Sequence, residues 1–594
     1  MKRRKMMAAL AMTAMVLSMA FGSGKAVAAE AADTVQLQIL ATSDVHGKMA
    51  PYDYALNEVS TSGSSTQIAT AVKALRTDNT IVVEAGDVIQ DNSAELFLND
   101  TVHPMIMAMN EIGYDTWVPG NHEFNFGMDT LLGIVPQANA RFLCGNVYSP
   151  DGTPLGQDYM IIEKSGVKIG LIGMVTPNIT RWDAENLKGW TVTNPVEETK
   201  AAIAELQGKV DVLIAVEHMM VENEYDVAGS GVADLANACP ELDLIIAAHG
   251  HQAIQDEVIN GVPIVENKNG GATMAQILID VERGADGSWD VKEVSRKLHD
   301  ISKCAVDKDL AEKLVEPHVR AVMNAETVIA KLEGGSLAPE NEIKEIPTAQ
   351  IQDTALMDLI NEVQMHYTGA DVSAAALFIN DANMHPGDIK KCDMALVYKY
   401  ANTLYKMKFN GAQLKQYMEW SASYYNTYQP GDLTISFNPN MRGYLYDMFA
   451  GVNYEINIAN APGSRIENLT WEDGTPVKDT DEFIVAVNNY RASSQLASYG
   501  AVFQEGQELP KIIEIDVCGD VGGVRELIGD YIVKEKGGVL TPETDNNWKI
   551  TGTDWDEELH QKAVEQLNAG LLTIPSSADG RTANVKAITI ADLK

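Results

Sequence analysis

The sequence predicts an α/β protein with more than one domain. In its first half, short apolar β-rich segments such as residues 35–40 and 81–83 alternate with helical segments such as 66–75. The chain has 594 residues, which is more than one domain of ordinary size holds. Its composition, 45% hydrophobic and 22% charged, excludes a chain that is disordered or coiled coil throughout. We therefore expect helices layered on a sheet core.

The charge balance excludes one class of partner. Lys and Arg number 45 against 83 Asp and Glu, a formal net charge of −38. A protein that tracks a phosphate backbone needs the opposite balance, so we expect no nucleic-acid polymer as partner. The acid excess suits a protein that binds cations.

The first 28 residues predict a secretory signal peptide. A basic segment from Lys2 to Lys5 precedes the apolar residues 6–21, and Ala26 and Ala28 form an A-x-A cleavage pattern. The apolar stretch is 16 residues long, shorter than the roughly 20 that span a membrane. We expect cleavage near Ala28 and export without stable membrane insertion, and the periplasm, cell wall and medium all remain open as destinations.

The cysteines provide no scaffold. All five lie far apart in sequence and none forms a CxxC pair, so neither a zinc knuckle nor a disulfide framework is predicted.

Polar residues with ligand chemistry follow the predicted strands of the first half. In such sheets, binding sites are built from the loops outside the strand ends. Five predicted strands, at residues 35–40, 81–83, 117–118, 212–216 and 244–248, each run into such residues: Asp44 and His46, Asp87, Asn121, His218, and His249 with His251.

Carboxylate, imidazole and amide groups together suit first-row divalent cations. Two such ions about 3.5–4 Å apart clamp the attacking and leaving oxygens of a phosphoryl displacement, and they need one carboxylate that bridges them. Asp87, in a Gly-Asp turn, is the predicted bridge. Any single His or D-x-H string occurs often by chance, so the metal interpretation depends on the whole ordered set.

That ordered set resembles the calcineurin-like metallophosphoesterase family. The strings are Asp44-x-His46, Gly86-Asp87, Gly120-Asn121-His122-Glu123, His218 and His249-Gly250-His251. The resemblance implies a four-layer α/β/β/α domain over residues 33–300 and two divalent metal ions, for which Mn, Zn, Fe and Co are all suitable. It implies that one ion is held by Asp44, His46, Asp87 and His251, and the other by Asp87, Asn121, His218 and His249. It also implies a catalytic role for His122, beside Asn121, at the leaving oxygen.

The pattern changes after Leu298. Residues 307–331 predict one long amphipathic helix, and the stretch from Gly334 to Pro347 predicts a break. We expect a helical linker over residues 301–347 and a second, smaller domain over 348–594.

The second half resembles the α+β C-terminal domain of bacterial secreted 5′-nucleotidases, especially the branch of 2′,3′-cyclic-nucleotide 2′-phosphodiesterase/3′-nucleotidases. The strings are residues 400–404 (YANTL), 451–456 (GVNYEI), 488–492 (NNYRA) and 545–548 (DNNW). The resemblance implies that Tyr400 and Tyr490 sandwich the nucleobase, a contact that every base can make through its π-face.

Two departures bear on the substrate. Where 5′-nucleotidases carry a phosphate-binding arginine, residues 378–383 read FINDAN, which leaves Asn380 and Asn383 as candidates for sugar or phosphate contacts. The aspartate that pairs with the catalytic histidine in 5′-nucleotidases is Asn125 here. Both departures favour the cyclic-phosphodiesterase branch.

The resulting hypothesis is an exported two-metal phosphoesterase. It would open ribonucleoside 2′,3′-cyclic phosphates to 3′-nucleotides and hydrolyse 3′-nucleotides to nucleoside and phosphate. The expected partner is a small nucleotide, with no obligate protein partner. The alternatives are a 5′-nucleotidase or nucleotide-sugar hydrolase on the same scaffold, and an exported nucleoside-binding protein whose catalytic site has decayed.

Overall fold

The computed structural model describes residues 34–594 except 61, 225–226, 401, 519–522 and 579–581. The predicted signal peptide over residues 1–28 lies outside the described residues.

The first half of the described chain alternates strands with helices. Its strands are β1 (Thr34–Thr42), β2 (Tyr52–Asp53), β3 (Glu58–Val59), β4 (Thr80–Glu84), β5 (Thr116–Trp117), β6 (Arg141–Phe142), β7 (Val147–Tyr148), β8 (Tyr159–Lys164), β9 (Val167–Val175), β10 (Thr191–Val192), β11 (Val212–His218), β12 (Leu244–Ala247), β13 (Val258–Ile259), β14 (Val262–Glu266), β15 (Thr273–Arg283) and β16 (Trp289–Asp300). Its helices are α1 (Ser65–Leu75), α2 (Pro104–Ile112), α3 (Met128–Ile134), α4 (Ile179–Trp182), α5 (Pro195–Leu206) and α6 (Val232–Ala238).

Two six-stranded sheets form the centre of this half. Their strand orders are β16-β15-β1-β4-β5-β6 and β13-β14-β12-β11-β9-β8. Alternate residues of β1, such as Leu37 and Ile39, pack with Ile214 of β11 in one apolar core, so the two sheets face each other. Leu40, on the opposite face of β1, packs with α1 and α2, and Ala215 packs with α5 and α6. The predicted four-layer α/β/β/α arrangement is confirmed.

The ligand-type residues lie at one edge of each sheet. Strands β1, β4 and β5 are parallel, as are β9, β11, β12 and β14. Their carboxyl ends therefore lie on the same side, where the loops after them meet. The five strands and the helix over residues 66–75 that the sequence predicts in this region are all present.

The predicted long helix over residues 307–331 is wrong. The structure has α7 (Lys308–Lys313), α8 (Val315–Ala325) and then strand β17 (Val328–Leu332). Pro317 has no N–H to donate to the carbonyl of Lys313, so an unbroken helix cannot pass Leu314. Strand β17 pairs with two later strands, which places this end of the predicted linker in the sheet structure of the second half. The domain boundaries at residues 300 and 347 stay a prediction.

The second half continues with helices α9 (Ala355–Thr368), α10 (Met394–Val397), α11 (Gly411–Ala422), α12 (Asn489–Arg491), α13 (Val524–Lys534) and α14 (Glu557–Asn568). Its strands are β18 (Val372–Ala376), β19 (Gly387–Lys390), β20 (Leu404–Asn410), β21 (Asp447–Ala450), β22 (Val452–Asn457), β23 (Ile466–Trp471), β24 (Glu482–Asn488), β25 (Lys511–Val517), β26 (Val539–Leu540) and β27 (Trp548–Thr551). They form sheets of order β21-β18-β24-β20-β25, β19-β17-β26 and β23-β22-β27, which share one large apolar core. Within the described residues, no helix combines the length and apolar character that a membrane crossing requires.

Candidate active site

The ligand-type side chains of five loops converge on Asp87. Asp44, His46, Asp87 and His251 offer ligand atoms that all lie within 4.8 Å of one another, and so do Asp87, His218 and His249. Asn121 joins the second group, because its Oδ1 lies 3.1 Å from Nε2 of His218. All seven predicted ligands thus come together, and Asp87 belongs to both groups.

The backbone at this site is strained. Five of the ligand residues occupy the left-handed region, which is uncommon for any residue other than Gly even though Asp and His enter it more often than most: Asp44 (φ 52°), His46 (φ 47°), Asp87 (φ 60°), His249 (φ 71°) and His251 (φ 56°). Such conformations cost of order 1–3 kcal/mol each and persist where the surrounding structure enforces them. These backbone conformations lower the stability of the folded state, and they turn the five side chains toward one point.

Two glycines give Asp87 its space. A Cβ on Gly120 would collide with Oδ1 of Asp87, and one on Gly86 would collide with the backbone of Gly120 and with His218. The Gly-Asp and Gly-Asn-His turns can approach this closely only because neither glycine has a side chain.

Hydrogen bonds decide which nitrogen each imidazole turns to the cluster. Nδ1–H of His218 donates to the carbonyl oxygen of Ala85 at 2.7 Å, so Nε2 faces Asp87 Oδ2 at 3.2 Å. Nδ1 of His46 pairs with Oε1 of Gln90 at 3.2 Å. Fixing the outer nitrogen in this way is how proteins set the tautomer of a metal-binding histidine.

His249 is held by a carboxylate. Its Nε2 lies 3.0 Å from Oε2 of Glu224, which leaves Nδ1 as the nitrogen for the cluster. Nδ2 of Asn178 also donates to Glu224 Oε2, at 3.3 Å. A carboxylate partner of this kind orients a histidine and raises its basicity.

Several buried oxygen and nitrogen atoms of the cluster are placed to bind a cation. Oδ2 of Asp44 and Oδ2 of Asp87 are buried and accept no well-aligned hydrogen bond from the described residues, and the imidazoles of His218 and His46 lie within 4 Å of Oδ2 of Asp87. Nε2 of His46 and Nε2 of His251 lie 3.1 Å apart and face each other. Buried carboxylate oxygens without partners are costly, and oxygen and nitrogen donors of this kind suit divalent cations. The residues present fit the metal ions that the sequence predicts.

The pKa values of Asp87 and His218 also indicate a site suited to a cation. Burial alone would raise the pKa of Asp87, but the imidazoles of His218 and His122 hold it well below its usual range. Burial alone would lower the pKa of His218, whereas the Asp87 carboxylate raises it to about 10. Without a cation, the Asp87 carboxylate favours a proton on His218, and a cation bound in its place would release that proton.

His122 lies beside this cluster. Its backbone N–H donates to Oδ1 of Asp87 at 3.0 Å, and its ring packs against that of His46 with centroids 5.3 Å apart. Nδ1 of His122 lies 2.7 Å from Oδ1 of Asn125. The partner of this imidazole is therefore an amide, at the position where the resemblance places an aspartate in 5′-nucleotidases. His122 therefore has a fixed ring at the edge of the metal-ligand cluster.

The two tyrosines predicted to bind the base lie at one end of the five-stranded sheet. Strand β20 begins opposite the end of β24, with Leu404 paired to Asn488. Tyr400, shortly before β20, and Tyr490, directly after β24, therefore lie at the same end of the sheet. They are 46% and 45% exposed, which is too exposed for core residues and leaves ring surface for a ligand. The ring of Phe378 supports Tyr400 edge-on, with centroids 5.2 Å apart.

Tyr490 is positioned by its neighbour Arg491. The guanidinium donates through Nε to Oδ2 of Asp447 at 2.5 Å and through Nη2 to Oδ1 at 3.0 Å, and both residues are buried. The backbone N–H of Asn489 donates to the carbonyl of Thr403 at 3.0 Å, which ties the segment of Tyr490 to that of Tyr400. A bidentate buried pair of this kind is geometrically specific.

The two asparagines proposed for substrate contacts differ. Asn380 is exposed. Asn383 fastens a loop, because its Oδ1 accepts from the backbone N–H groups of Ala338 and Met384 and its Nδ2 donates to the Ala338 carbonyl. That leaves one N–H of Asn383 for a ligand, and substrate contact by either asparagine stays a prediction.

Sequence reasoning missed three carboxylates of the site: Glu123, Glu224 and Asp183. Glu123 carried a detectable pattern, since a Glu three residues after Gly120 matches the spacing of a capping interaction. Its Oε2 accepts from the N–H of Gly120 at 2.6 Å. Glu224 and Asp183 lie in loops 25 and 58 residues from their partners His249 and Asn125, and no local pattern marks them.

Comparison with known proteins gives two family matches. Residues 37–253 match the family described as calcineurin-like phosphoesterase, and residues 328–498 match the family described as 5′-nucleotidase, C-terminal domain.

Among curated proteins, similarity extends over most of the chain. The 2′,3′-cyclic-nucleotide 2′-phosphodiesterase/3′-nucleotidase of Haemophilus influenzae is 28% identical over 615 residues, which cover 90% of this chain and 91% of that protein. The trifunctional nucleotide phosphoesterase protein YfkN of Bacillus subtilis is 29% identical over 593 residues, which cover 88% of this chain and 39% of YfkN. The chain thus spans about two fifths of that longer relative.

Solved structures share the fold. A Staphylococcus aureus protein assigned as a 5′-nucleotidase superposes with a TM-score of 0.59 at 20% identity, covering 87% of this chain and all of that one. The NAD nucleotidase of Haemophilus influenzae superposes with a TM-score of 0.56 at 16% identity, covering 88% of this chain and all of that one.

The four-layer fold, the buried Asp/His cluster and the first family match define a metallophosphoesterase. The second match specifies it further: the chain has the two-domain 5′-nucleotidase fold, in which a calcineurin-like phosphoesterase domain is followed by a 5′-nucleotidase C-terminal domain.

Proposed function

We propose that the protein hydrolyses ribonucleoside 2′,3′-cyclic phosphates to 3′-nucleotides, and 3′-nucleotides to nucleoside and phosphate, with two divalent metal ions. The observation that carries the proposal is that two groups of ligand-type side chains share Asp87, and that Oδ2 of Asp87 and Oδ2 of Asp44 are buried without a well-aligned hydrogen bond from any described residue. Asp44, His46, Asp87 and His251 would hold one ion, and Asp87, Asn121, His218 and His249 the other. When bound, the two ions activate water and neutralise charge on the phosphoryl oxygens.

The side chains of this chain divide the remaining work. In the first step, a water oxygen forms a new bond to phosphorus while the bond from phosphorus to O2′ breaks. In the second, another water oxygen bonds to phosphorus while the bond from phosphorus to O3′ breaks, which releases inorganic phosphate and nucleoside. Each departing oxygen needs a proton, and His122 is the titratable group beside the cluster that would supply it. The buried walls around Asp87 exclude bulk water, which strengthens electrostatic interactions with the reacting phosphate.

Tyr400 and Tyr490 would hold the nucleobase. Both rings are about half exposed at the same sheet edge, and both segments are tied to each other through Asn489 and Thr403. Stacking demands only a π-face, so these rings would accept more than one base.

Three observations favour 2′,3′-cyclic phosphates over 5′-phosphates as substrates. Residues 378–383 contain no arginine, so the strong bidentate contact to a phosphate dianion is missing there. A cyclic diester carries one negative charge and needs that contact less. His122 pairs with Asn125, as expected for the cyclic-phosphodiesterase branch. Relatives named as 2′,3′-cyclic-nucleotide 2′-phosphodiesterase/3′-nucleotidases match 87–90% of this chain at 27–28% identity.

We also propose that the enzyme acts outside the cytoplasm, on the basis of the signal peptide predicted from residues 1–28. Fractionation of cells that express the full chain tests this point separately from the activity.

The activity is tested by comparing kcat/KM for 2′,3′-cyclic AMP, 3′-AMP and 5′-AMP, with and without a chelator. We expect hydrolysis of the first two to exceed that of 5′-AMP and to cease when metal is removed. A preference for 5′-AMP would identify a 5′-nucleotidase on this scaffold. Nucleoside binding without turnover of any substrate or any bound metal would identify a binding protein.

A further inference from the structure

The catalytic candidate His122 has a neutral partner. Nδ1 of His122 lies 2.7 Å from Oδ1 of Asn125. An amide can present either its oxygen or its NH₂ group to an imidazole, and the two choices favour opposite tautomers of the ring. Something must therefore decide which way the amide of Asn125 points.

The carboxylate of Asp183 sets the orientation of the Asn125 amide. Nδ2 of Asn125 lies 3.2 Å from Oδ2 and 3.4 Å from Oδ1 of Asp183. A carboxylate accepts hydrogen bonds and donates none, so the NH₂ group of Asn125 must face Asp183. The amide oxygen then faces His122, and the ring must carry its proton on Nδ1. Nε2 remains as the nitrogen that exchanges a proton with the substrate.

Asp183 itself is fixed. It is 5% exposed, follows helix α4, and its backbone N–H donates to the carbonyl of Ile179 at 2.9 Å. Nδ2 of Asn186 lies 2.9 Å from Oδ1 of Asp183. Asn186 also contacts the carbonyls of Phe124 and Asn125, so the loop after α4 and the turn that carries His122 form one unit.

We propose that Asp183 is a positioning residue that acts through Asn125 to hold His122 as a proton donor at Nε2. The proposal rests on the proposed function and deepens it. In ring opening, the departing O2′ takes the proton from Nε2, which leaves the imidazole protonated on Nδ1 alone, and solvent returns a proton to Nε2. The carboxylate of Asp183, which acts on His122 through the amide of Asn125, thus takes the place of a carboxylate in direct contact with the ring.

The test compares substrates that differ in their need for a proton. The oxygens O2′ and O3′ of a nucleotide are poor leaving groups, whereas p-nitrophenolate leaves without a proton. For Asp183→Asn we expect kcat on 2′,3′-cyclic AMP to fall about 10²-fold, the size of a general-acid contribution, with KM little changed. On bis-p-nitrophenyl phosphate the same variant should retain most of its kcat.

Two further variants separate positioning from loop structure. Asn125→Asp combined with Asp183→Asn places a carboxylate directly on His122 and should recover most of the lost kcat on 2′,3′-cyclic AMP. Leu187→Ala loosens the apolar packing of the same loop without removing a side-chain hydrogen bond of Asp183 or of Asn125, and it should leave the ratio of the two substrates at the wild-type value. Equal losses on both substrates for Asp183→Asn, or no recovery in the double variant, would overturn the proposal.

A spectroscopic readout keeps this test independent of the activity. In Zn²⁺-loaded protein with ¹⁵N-labelled histidine, the His122 resonances are assigned by comparison with His122→Gln. We expect the tautomer protonated on Nδ1 in the wild type and a mixture in Asp183→Asn. A wild type that turns over no nucleotide contradicts the proposed function, while an unchanged tautomer in Asp183→Asn contradicts the role of Asp183.

Discussion

Asp87 and Glu123 hold each other in place. Oε2 of Glu123 accepts the backbone N–H of Asp87 at 2.9 Å, while the turn that carries Glu123 donates the N–H of His122 back to Oδ1 of Asp87 at 3.0 Å. Glu123 is buried and also accepts the N–H groups of Val88, Ile89 and Gly120. The two turns that form the centre of the site are therefore fastened by one side chain.

The first prediction concerns this fastening. Glu123→Gln keeps the shape but turns an NH₂ group toward backbone N–H donors, leaving about two of them unsatisfied at roughly 1–3 kcal/mol each. We expect the free energy of unfolding to fall by about 2–4 kcal/mol and metal affinity to weaken. Urea titration and metal titration measure the two effects, with the exposed Glu282→Gln as control. Unchanged stability would show that the fastening contributes little.

The second prediction concerns the shared ligand. Asp87→Asn removes the charge that both ligand groups share, and we expect kcat/KM to fall by at least about 10³-fold, equivalent to several kcal/mol of transition-state stabilisation. Bound metal per chain should fall with it. The exposed Asp290→Asn should match the wild type in both measurements. Normal turnover in Asp87→Asn would exclude Asp87 as a metal bridge.

The third prediction concerns the base. Tyr400→Ala and Tyr490→Ala each remove one stacking surface worth roughly 1–3 kcal/mol, so KM for 2′,3′-cyclic AMP should rise about 5- to 100-fold. Hydrolysis of bis-p-nitrophenyl phosphate, which has no base, should be unaffected. Tyr159→Ala, on the edge strand β8, is the control. Equal losses on both substrates would mean that these tyrosines support the structure and do not bind the base.

The fourth prediction concerns pH. Burial and the neighbouring carboxylates of Asp353 and Asp545 raise the pKa of Asp358 to about 8. A raised carboxyl pKa favours the protonated folded state, so this stability is complete below pH 4 and is lost as the pH rises through 8. Because the side chain is partly exposed, we expect a loss of only about 1–2 kcal/mol.

Asp358→Asn should reduce the pH dependence of stability between pH 5 and 9 that the folded-state pKa of about 8 implies. Unfolding by urea at several pH values measures the effect, with Asp290→Asn as the matched control. An identical pH profile in Asp358→Asn and the wild type would contradict the assignment.

The residues that could be predicted from sequence are those with distinctive chemistry at strand ends. Strands β1, β4, β5, β11 and β12 are short apolar runs, and a ligand-type residue such as Asp44 or His218 ends or follows each one. Because parallel strands end on the same side of a sheet, residues that follow these runs in sequence also lie close together in the fold. The residues that orient them were not predictable, because Glu224 and Asp183 reach their partners from separate loops. The helix over residues 307–331 failed because Pro317 interrupts the helix at Leu314 and because residues 328–332 pair as strand β17 with two strands that come much later in the chain.

The two-step hydrolysis can be followed in a single reaction with 2′,3′-cyclic AMP in which the products are separated over time. We expect 3′-AMP to accumulate first and then to be converted to adenosine and phosphate. We also expect that 2′-AMP does not form and that a chelator stops both steps. Persistence of the cyclic nucleotide under conditions in which the same preparation consumes 5′-AMP would contradict the proposed two-step hydrolysis.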